Sequence, residues 1–281
     1  MSCSNKRIIM SLLEKAHSLL RTYRIRPKKS LGQNFMIEPA FFSRMAESVS
    51  LCKDDTVLDA GAGLGFLTRF LASKCRAVVA VEADQAIEGL LCEQLADLSN
   101  VTIVSGNVLK RVFCFNKVVS VPPYSISSRL LLWLFSRRFD SAAFIFQREF
   151  ADRLLAPVGN EEYGSLTVIT SYCARVEILD VVPRSAFYPR PRVSSVIVSL
   201  KPFETKPFVL KDETSFISLV QSMFTQRNRK VRNAILPHLR STCSISKEAA
   251  VKKAESLPFH DKRVRDLTPE SFGVLANALV D

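Results

Sequence analysis

The sequence of 281 residues contains no apolar run that approaches the length of a membrane-spanning helix, about 20 residues. It also lacks any C-x-x-C pair, and its seven cysteines and three histidines are dispersed along the chain. Dispersed cysteines argue against disulfides and zinc, and dispersed histidines offer neither a metal site nor a histidine-based catalyst. No signal-peptide pattern opens the chain. We therefore expect a cytoplasmic protein without a metal and without membrane contacts.

Acidic residues are scarce relative to basic ones. The 27 aspartates and glutamates face 39 lysines and arginines, which leaves a net charge of +12. This excess favours an anionic partner, and nucleic acid above membrane because no basic stretch also carries a lipid-facing aromatic band. A basic protein without such a partner is the alternative. Residues 1–29 contain one acid, Glu14, and predict a basic amphipathic helix with an extended arm, either in contact with RNA or simply solvated.

A short apolar run over residues 57–60 leads into three glycines at every second position, Gly61, Gly63 and Gly65. An apolar strand that stops at glycines and resumes as a helical pattern predicts strand, tight turn and helix, with backbone close to a ligand. Dinucleotide folds instead use G-x-G-x-x-G under a pyrophosphate. Here Asp59 precedes the glycines, and we expect it at the mouth of the pocket, where a carboxylate repels phosphate and attracts a cation. The cationic S-adenosylmethionine fits this arrangement.

Three further features fall at the ends of predicted strands. Glu82 ends the strand at 77–82, where an acid can accept hydrogen bonds from both ribose hydroxyls. Asn107 follows the strand at 101–105, where its amide can bond an adenine edge. The Val121-Pro122-Pro123-Tyr124 segment follows the next strand as a stiff platform, although such loops are often plain turns.

The alternation of apolar strands and helices from residue 55 to 147 predicts a doubly wound, Rossmann-like α/β sheet with ligands at the carboxyl ends of its strands. Two antiparallel strands at 176–182 and 194–200 follow, and the chain beyond residue 212 is predicted to be helical. We predict three parts: a basic arm at 1–29, a cofactor-binding domain at 30–203 and a smaller helical domain at 204–281. A predicted helix at 227–240 carries basic residues that either track RNA backbone or are simply solvated.

Nine ordered stretches together resemble one family, the small-subunit ribosomal RNA adenine dimethyltransferases. The family includes antibiotic-resistance relatives that methylate large-subunit ribosomal RNA. The stretches are SLGQNF at 30–35, DAGAGLG at 59–65, VE at 81–82, GN at 106–107, PYSIS at 123–127, QREFADR at 147–153, YG at 163–164, FYPRPRV at 187–193 and FTQR at 224–227. They cover the chain from about residue 28 onward, and the segment at 187–193 favours the small-subunit branch.

The resemblance implies a class I methyltransferase domain and methylation of the exocyclic amine of adenine during ribosome assembly. With the residues already identified, the expected cofactor site comprises Asn34, Met36, Asp59, Gly61, Gly63, Glu82, Asn107 and Val121. The expected catalytic group comprises Val121, Pro122, Pro123, Tyr124 and Phe187. In this scheme Tyr124 stacks on the extruded adenine, Phe187 lies on its other face, and a monomer acts on the ribosomal RNA of a small-subunit precursor.

Two positions depart from the family pattern. Asn107 stands where the family has aspartate, and Val121 stands where the family has the asparagine whose side-chain oxygen accepts a hydrogen bond from the target amine. Loss of one such hydrogen bond typically costs about 10²–10³ in rate, which a backbone carbonyl of Val121 or Pro122 would offset in part. The alternatives are an RNA-binding assembly factor that has lost turnover and a large-subunit resistance methylase; a DNA-adenine methylase is least expected.

Overall fold

A computed structural model describes residues 10–28, 31–242 and 246–280 of the chain. Residues 1–9 and Lys29 of the predicted arm, Ser30 of the predicted loop, and Cys243 lie outside the described residues. No helix within the described ranges is long and apolar enough to cross a membrane.

The strands form a seven-stranded sheet and a small two-stranded one. Their bounds are β1 Phe35–Met36, β2 Thr56–Ala60, β3 Ala77–Glu82, β4 Val101–Ser105, β5 Lys117–Ser120, β6 Ser141–Gln147, β7 Ala174–Val182, β8 Phe187–Tyr188 and β9 Ser195–Pro202. The large sheet has the order β4-β3-β2-β5-β6-β9-β7, and β1 pairs with β8 in the small one. The first five strands of that order run parallel, whereas β9 runs antiparallel to β6. The predicted doubly wound sheet is confirmed.

Twelve α-helices are assigned within the described residues. They are α1 Leu12–Thr22, α2 Pro39–Ser48, α3 Phe66–Ala72, α4 Gln85–Gln94, α5 Ser127–Phe135, α6 Arg148–Leu154, α7 Ser165–Cys173, α8 Glu213–Phe224, α9 Val231–Ala234, α10 Leu236–Thr242, α11 Lys247–Ser256 and α12 Pro269–Asn277. The helices after residue 212 confirm the predicted helical C-terminal region.

The order of the strands creates a crevice beside β2. The chain moves outward from β2 to β3 and β4 and then returns to β5 on the other side of β2. The connections that leave the carboxyl ends of β2 and β5 therefore diverge, which is where doubly wound folds bind ligands. Central strand residues are fully buried on both faces of this sheet, with Leu58 and Val118 on one face and Val57 and Val119 on the other, so the crevice has a rigid floor.

The chain divides into two compact units. The first runs to Arg148 and includes Glu177–Leu200, and the second comprises Glu149–Val176 and the chain from Lys201. Helix α1 belongs to the first unit, where Ala16 and Leu20 pack in a cluster with Phe35 of β1. The functional division at 1–29, 30–203 and 204–281 stays a prediction.

Two local predictions are wrong. The predicted helix at 227–240 is absent before Val231, because residues 225–228 form a turn and Lys230 forms a β-bridge with Arg263. Pro237 would break an internal hydrogen bond of one long helix, whereas it is tolerated in the first turn of α10. The predicted loop at 30–36 contains strand β1, since Phe35 and Met36 pair with β8. Two residues are too few to show the alternation of a strand.

Candidate cofactor and catalytic site

A cavity of about 190 Å³ opens at the carboxyl ends of β2, β3, β4 and β5, within the first unit. It brings together most of the residues that the sequence singled out: Asn34, Gly61, Gly63, Glu82, Asn107, Val121, Pro122, Pro123 and Tyr124. The segment before β1 forms another wall, because Leu31, Gly32 and Gln33 line the same cavity. The cavity is therefore built from loops that are distant in sequence but meet at one edge of the sheet.

The glycine turn after β2 leaves no room for side chains. Gly61 and Gly63 have φ angles of +91° and +56°, which residues with a side chain rarely adopt. A Cβ on Gly61 would lie 2.8 Å from Cδ of Pro123, and one on Gly63 would lie 3.0 Å from Cδ1 of Phe35. The turn thus exposes bare backbone to the cavity, as the glycine spacing predicts.

Glu82 presents its carboxylate at the end of β3. Its Oε2 accepts a hydrogen bond from the Gly63 amide at 2.9 Å, and its Oε1 accepts from the amides of Ala83 and Asp84 at 2.8 and 2.9 Å. Burial raises the pKa of Glu82, and these three donors counteract the rise in part. The carboxylate is consequently fixed in orientation beside the glycine turn.

Asp59 does not lie at the mouth of the cavity, contrary to the prediction. Its side chain is 1% exposed and accepts a hydrogen bond from Thr68 Oγ1 at 2.7 Å. Burial raises its pKa to about 7, and the charge of Glu82 acts in the same direction. The reason for the error is that β2 is covered on both faces, so its last side chains are buried rather than directed outward.

A smaller cavity of about 40 Å³ lies beside the first. Asp59 and Met36 line it together with five residues that also line the larger cavity, Asn34, Phe35, Gly61, Gly63 and Val121. Asp59 and Met36 are therefore grouped with the predicted cofactor residues, but on the buried side of the glycine turn.

Asn107 lines the larger cavity at the end of β4. Its Oδ1 accepts a hydrogen bond from the Leu109 amide at 2.9 Å and so caps the short 3-10 turn that follows. The side-chain oxygen is thus engaged in the local fold, and the amide group is the part left to recognise a base edge.

The platform after β5 is held at three points. Pro123 packs over Gly61, and Val121 is half-buried against the apolar core while it lines both cavities. Tyr124 begins a 3-10 turn, and its hydroxyl lies 2.7 Å from Oγ of Ser195. Because burial raises the pKa of Tyr124, the phenol stays neutral around pH 7.

The predicted partner of this platform is not on the cavity wall. Phe187 lines neither of the two cavities and is only 1% exposed. It pairs with Met36 across β1 and β8, and its ring packs in the core with Phe42. Pairing of β1 with β8 buries this ring, which the sequence pattern of aromatic and proline residues did not indicate.

Sequence reasoning missed a hydrogen-bonded group at the rim. Asp84 is 6% exposed and caps α4, and its Oδ2 accepts from Gln33 Nε2 at 2.9 Å and from Lys28 Nζ at 2.8 Å. The Lys28 amide in turn donates to Gln33 Oε1 at 2.7 Å. The position of an aspartate directly before a predicted helix is a capping signal that would have identified Asp84. This group fixes the segment before β1 against the cavity.

The electrostatics and walls of the site define its chemical class. Buried carboxylates, bare glycine backbone and a tyrosine platform lie at the switch point of a doubly wound sheet, and no cluster of metal-binding side chains occurs in the described parts of the chain. Fold and site together are those of a Rossmann-like methyltransferase, the class whose members use S-adenosylmethionine as methyl donor.

Comparison with known proteins gives the family. The family model described as "Ribosomal RNA adenine dimethylase" matches residues 24–262. A protein of Methanosarcina mazei described as "Probable ribosomal RNA small subunit methyltransferase A" is 39% identical over 94% of this chain and 97% of its own length. The chain therefore belongs to the ribosomal RNA adenine dimethylase family, and its enzyme class is that of an rRNA adenine methyltransferase.

Solved structures agree with this assignment. A dimethyladenosine transferase from Plasmodium falciparum superposes with a TM-score of 0.70 at 25% identity, covering 86% of this chain and 95% of that one. The 23S rRNA methyltransferase ErmE superposes with a TM-score of 0.60 at 28% identity, covering 88% of this chain and all of the other. This chain thus shares its fold with both of these methyltransferases.

Proposed function

We propose that this protein transfers methyl groups from S-adenosylmethionine to the N6 amine of adenines in small-subunit ribosomal RNA. The observation that carries the proposal is the single cavity wall that joins the glycine turn, Glu82 and Tyr124 in a member of this family. The curated relative at 39% identity is named for the small subunit, which favours that substrate over large-subunit RNA. We further propose a cytoplasmic monomer that acts on a small-subunit precursor.

The residues present fit S-adenosylmethionine. The cradle at Gly61 and Gly63 would be filled by any side chain, so backbone can approach a ligand there. Glu82 faces the same space, and its Oε2, which accepts only from the Gly63 amide, has a lone pair left for a hydrogen bond from a ribose hydroxyl, whereas Oε1 already accepts from two amides. Asp59 lies behind the turn, where a negative charge favours a cation. When bound, the cofactor supplies an electrophilic methyl group on a positively charged sulfur.

The remaining predicted cofactor residues extend this site. Asn34 lines both cavities and donates to the Gly32 carbonyl at 3.1 Å, which orients its amide. Met36 adds an apolar wall to the smaller cavity, and the Asn107 amide is placed to bond an adenine edge. We propose that these residues, together with Val121, hold the two ends of the cofactor on either side of the glycine turn.

The platform is assigned to the target base. We propose that Tyr124 stacks on an adenine extruded from the RNA and that Pro122 and Pro123 keep the backbone of the platform rigid. The backbone carbonyls of Val121 and Pro122 would accept hydrogen bonds from the amine, because the valine side chain offers none. Since Phe187 is buried in the core, our proposal rests on Tyr124 alone for stacking.

The reaction requires no covalent enzyme intermediate. S-adenosylmethionine, held by Gly61, Gly63 and Glu82, would supply the methyl group, and the proton displaced from the adenine amine would pass to solvent. The protein contributes alignment of the nitrogen with the methyl group and oxygen acceptors for the positive charge that develops on the amine. Val121, Pro122, Pro123 and Tyr124 line the cavity in which the reacting atoms would lie.

Basic side chains are available for the RNA. Arg21 in the last turn of α1 is exposed, as are Arg24 and Arg26 directly after that helix. In the second unit, Arg229 and Arg263 are exposed. We propose that both the arm at 1–29 and the helical part at 204–281 bind phosphate groups, whose neutralisation is the main source of affinity in RNA recognition.

Methyl transfer from labelled S-adenosylmethionine to immature small subunits tests the proposal. We expect label in adenine nucleotides of the small-subunit RNA, identified after digestion as N6-methylated adenosine, and none in large subunits offered in parallel. Label only in large-subunit RNA would contradict the proposed substrate and identify large-subunit RNA as the substrate instead. Absence of label from both, with the cofactor still bound in a titration, would favour an assembly factor without turnover.

A further inference from the structure

The hydroxyl of Tyr124 is held by a residue that the family motif around Tyr124 does not contain. Ser195 is fully buried at the start of β9, and its Oγ lies 2.7 Å from Oη of Tyr124. Ser195 pairs with Gln147, the last residue of β6. The serine is therefore anchored in the sheet at the edge where the cavity opens, although 71 residues separate it from the tyrosine.

From this contact we infer that Ser195 is a positioning residue that fixes the ring of Tyr124 as a stacking platform for the target adenine. The inference rests on the proposed function, since it assigns to Tyr124 the role given above.

The physical reason is that the tyrosine is otherwise held at one end only. Its backbone begins the 3-10 turn Tyr124–Ile126, while the ring projects into the cavity wall and is half-buried. A ring anchored at its Cα alone can change rotamer, whereas a second anchor at the hydroxyl, 2.7 Å from the side chain of Ser195 in β9, fixes both ends. The ring is then already oriented before the base binds. Stacking of the base therefore carries no entropic cost for ordering the tyrosine side chain.

Substitution of either partner should have the same effect. Ser195→Ala and Tyr124→Phe each remove the hydrogen bond between the two hydroxyls. Both variants keep an aromatic ring at position 124. We expect each to lower the single-turnover rate of methyl transfer about 3- to 10-fold, the range for one buried hydrogen bond, with the dissociation constant for S-adenosylmethionine unchanged. Ser195→Thr retains a hydroxyl and should restore most of the rate.

The double variant separates positioning from general destabilisation. If the two hydroxyls act through one bond, Tyr124→Phe with Ser195→Ala should be no slower than either single variant. Tyr172→Phe is the matched control, because it also removes a tyrosine hydroxyl from a hydrogen bond, to Glu213 at 2.8 Å, within the second unit. We expect that control to transfer methyl groups at the wild-type rate. Rate losses that add in the double variant would overturn the inference.

A measurement without turnover keeps this test apart from the proposed function. The chain has five tyrosines, so NMR of protein with isotope-labelled tyrosine rings should resolve the Cζ signal that Tyr124→Phe removes. Ser195→Ala should shift or broaden that one signal and leave the signal of Tyr172 in place. A Tyr124 signal that does not shift or broaden in Ser195→Ala would contradict the inference even if the enzyme is active. A shifted signal in a protein that transfers no methyl group would support the contact between the two side chains and contradict the proposed reaction.

Discussion

Pro123 occupies the space that a side chain on Gly61 would need. A Cβ on Gly61 would lie 2.8 Å from Cδ of Pro123, a distance at which one of the two must move. The turn after β2 and the platform after β5 therefore pack directly against each other, so the walls that we propose for the cofactor and for the target base are in direct contact. This contact links the glycine spacing to the proline pair, two sequence features that are far apart in the chain.

Alanine at position 61 should damage this assembly selectively. Gly61→Ala combines a clash with Pro123 and a φ of +91° that alanine rarely adopts, and we expect affinity for S-adenosylmethionine to fall at least about tenfold, with a loss of stability of about 1–3 kcal/mol. Calorimetric titration and thermal unfolding measure both quantities.

The matched control is Gly89→Ala. Gly89 lies within α4, and a Cβ added to it would meet no heavy atom within 4 Å, so alanine there should leave cofactor binding unchanged and stabilise the helix by up to about 1 kcal/mol. Equal cofactor affinity in the Gly61→Ala and wild-type proteins would show that the turn does not approach the ligand.

Cofactor affinity should increase with pH. Asp59 has a pKa of about 7 because it is buried, and burial also raises the pKa of Glu82. Both groups are neutral below their pKa values and negative above them, and a cation binds the negative form better. The dissociation constant for S-adenosylmethionine should therefore fall as pH rises through about 7, with release of protons on binding.

Asp59→Asn tests the assignment of this pH dependence. The amide oxygen can still accept the hydrogen bond from Thr68, but the group no longer ionises. We expect weaker binding above pH 7 and a flatter pH profile. The variant should also gain stability relative to wild type as pH rises from about 4 to 7, because ionising a carboxylate whose folded pKa is raised opposes folding. An unchanged binding profile would contradict a role for Asp59.

At the amino-terminal end of β2, Asp55 should contribute to stability with the opposite pH dependence, because its pKa is lowered. Burial of Asp55 opposes its ionisation, but hydrogen bonds from Lys117 Nζ, 2.9 Å away, and from Asn116 outweigh it and lower the pKa to about 2. A depressed pKa stabilises the fold above the unfolded value near 4, and that contribution is lost as pH falls towards 2.

Asp55→Asn should therefore destabilise the protein most at neutral pH, by about 3 kcal/mol, because it leaves the buried Lys117 charge unpaired. Denaturant unfolding at several pH values measures the difference, which should shrink as pH falls towards 3. The exposed pair of Arg44 and Asp180 provides the control, since Asp180→Asn should cost less than about 1 kcal/mol at any pH. A difference for Asp55→Asn that persists in acid would show that the pair acts by packing alone.

The sequence predicts the strands of the large sheet well because they are short apolar runs, and β2, β3 and β4 end at an acid or directly before a glycine. These signals alone predict β2, the glycine turn and β3 between Val57 and Glu82. The same signals place Glu82 and Tyr124 at one edge, since parallel strands end together.

The errors have a common physical source. Asp59 and Phe187 are misplaced because their burial depends on covering layers and on the pairing of β1 with β8, which no local pattern encodes. The contacts of Asp84 with Lys28 and of Tyr124 with Ser195 join residues that are far apart in the chain. Their residue types are ordinary, and only the fold brings them together.

Val121 is the residue that bears most directly on the rate of methyl transfer by this member of the family. It stands at the position of the motif asparagine, lines both cavities and packs against the core. Val121→Asn supplies a side-chain oxygen for the target amine, and we expect it to raise the rate of methyl transfer by up to about 10². Val121→Ala changes the volume without adding an acceptor and should give no such increase.

The decisive measurement is the transfer of labelled methyl groups to immature small subunits by wild type, Val121→Asn and Val121→Ala side by side. Our account predicts measurable transfer by the wild type and faster transfer by Val121→Asn alone. Transfer by Val121→Asn with none by the wild type would contradict it, and would identify the natural chain as an RNA-binding factor that retains the methyltransferase fold without the reaction.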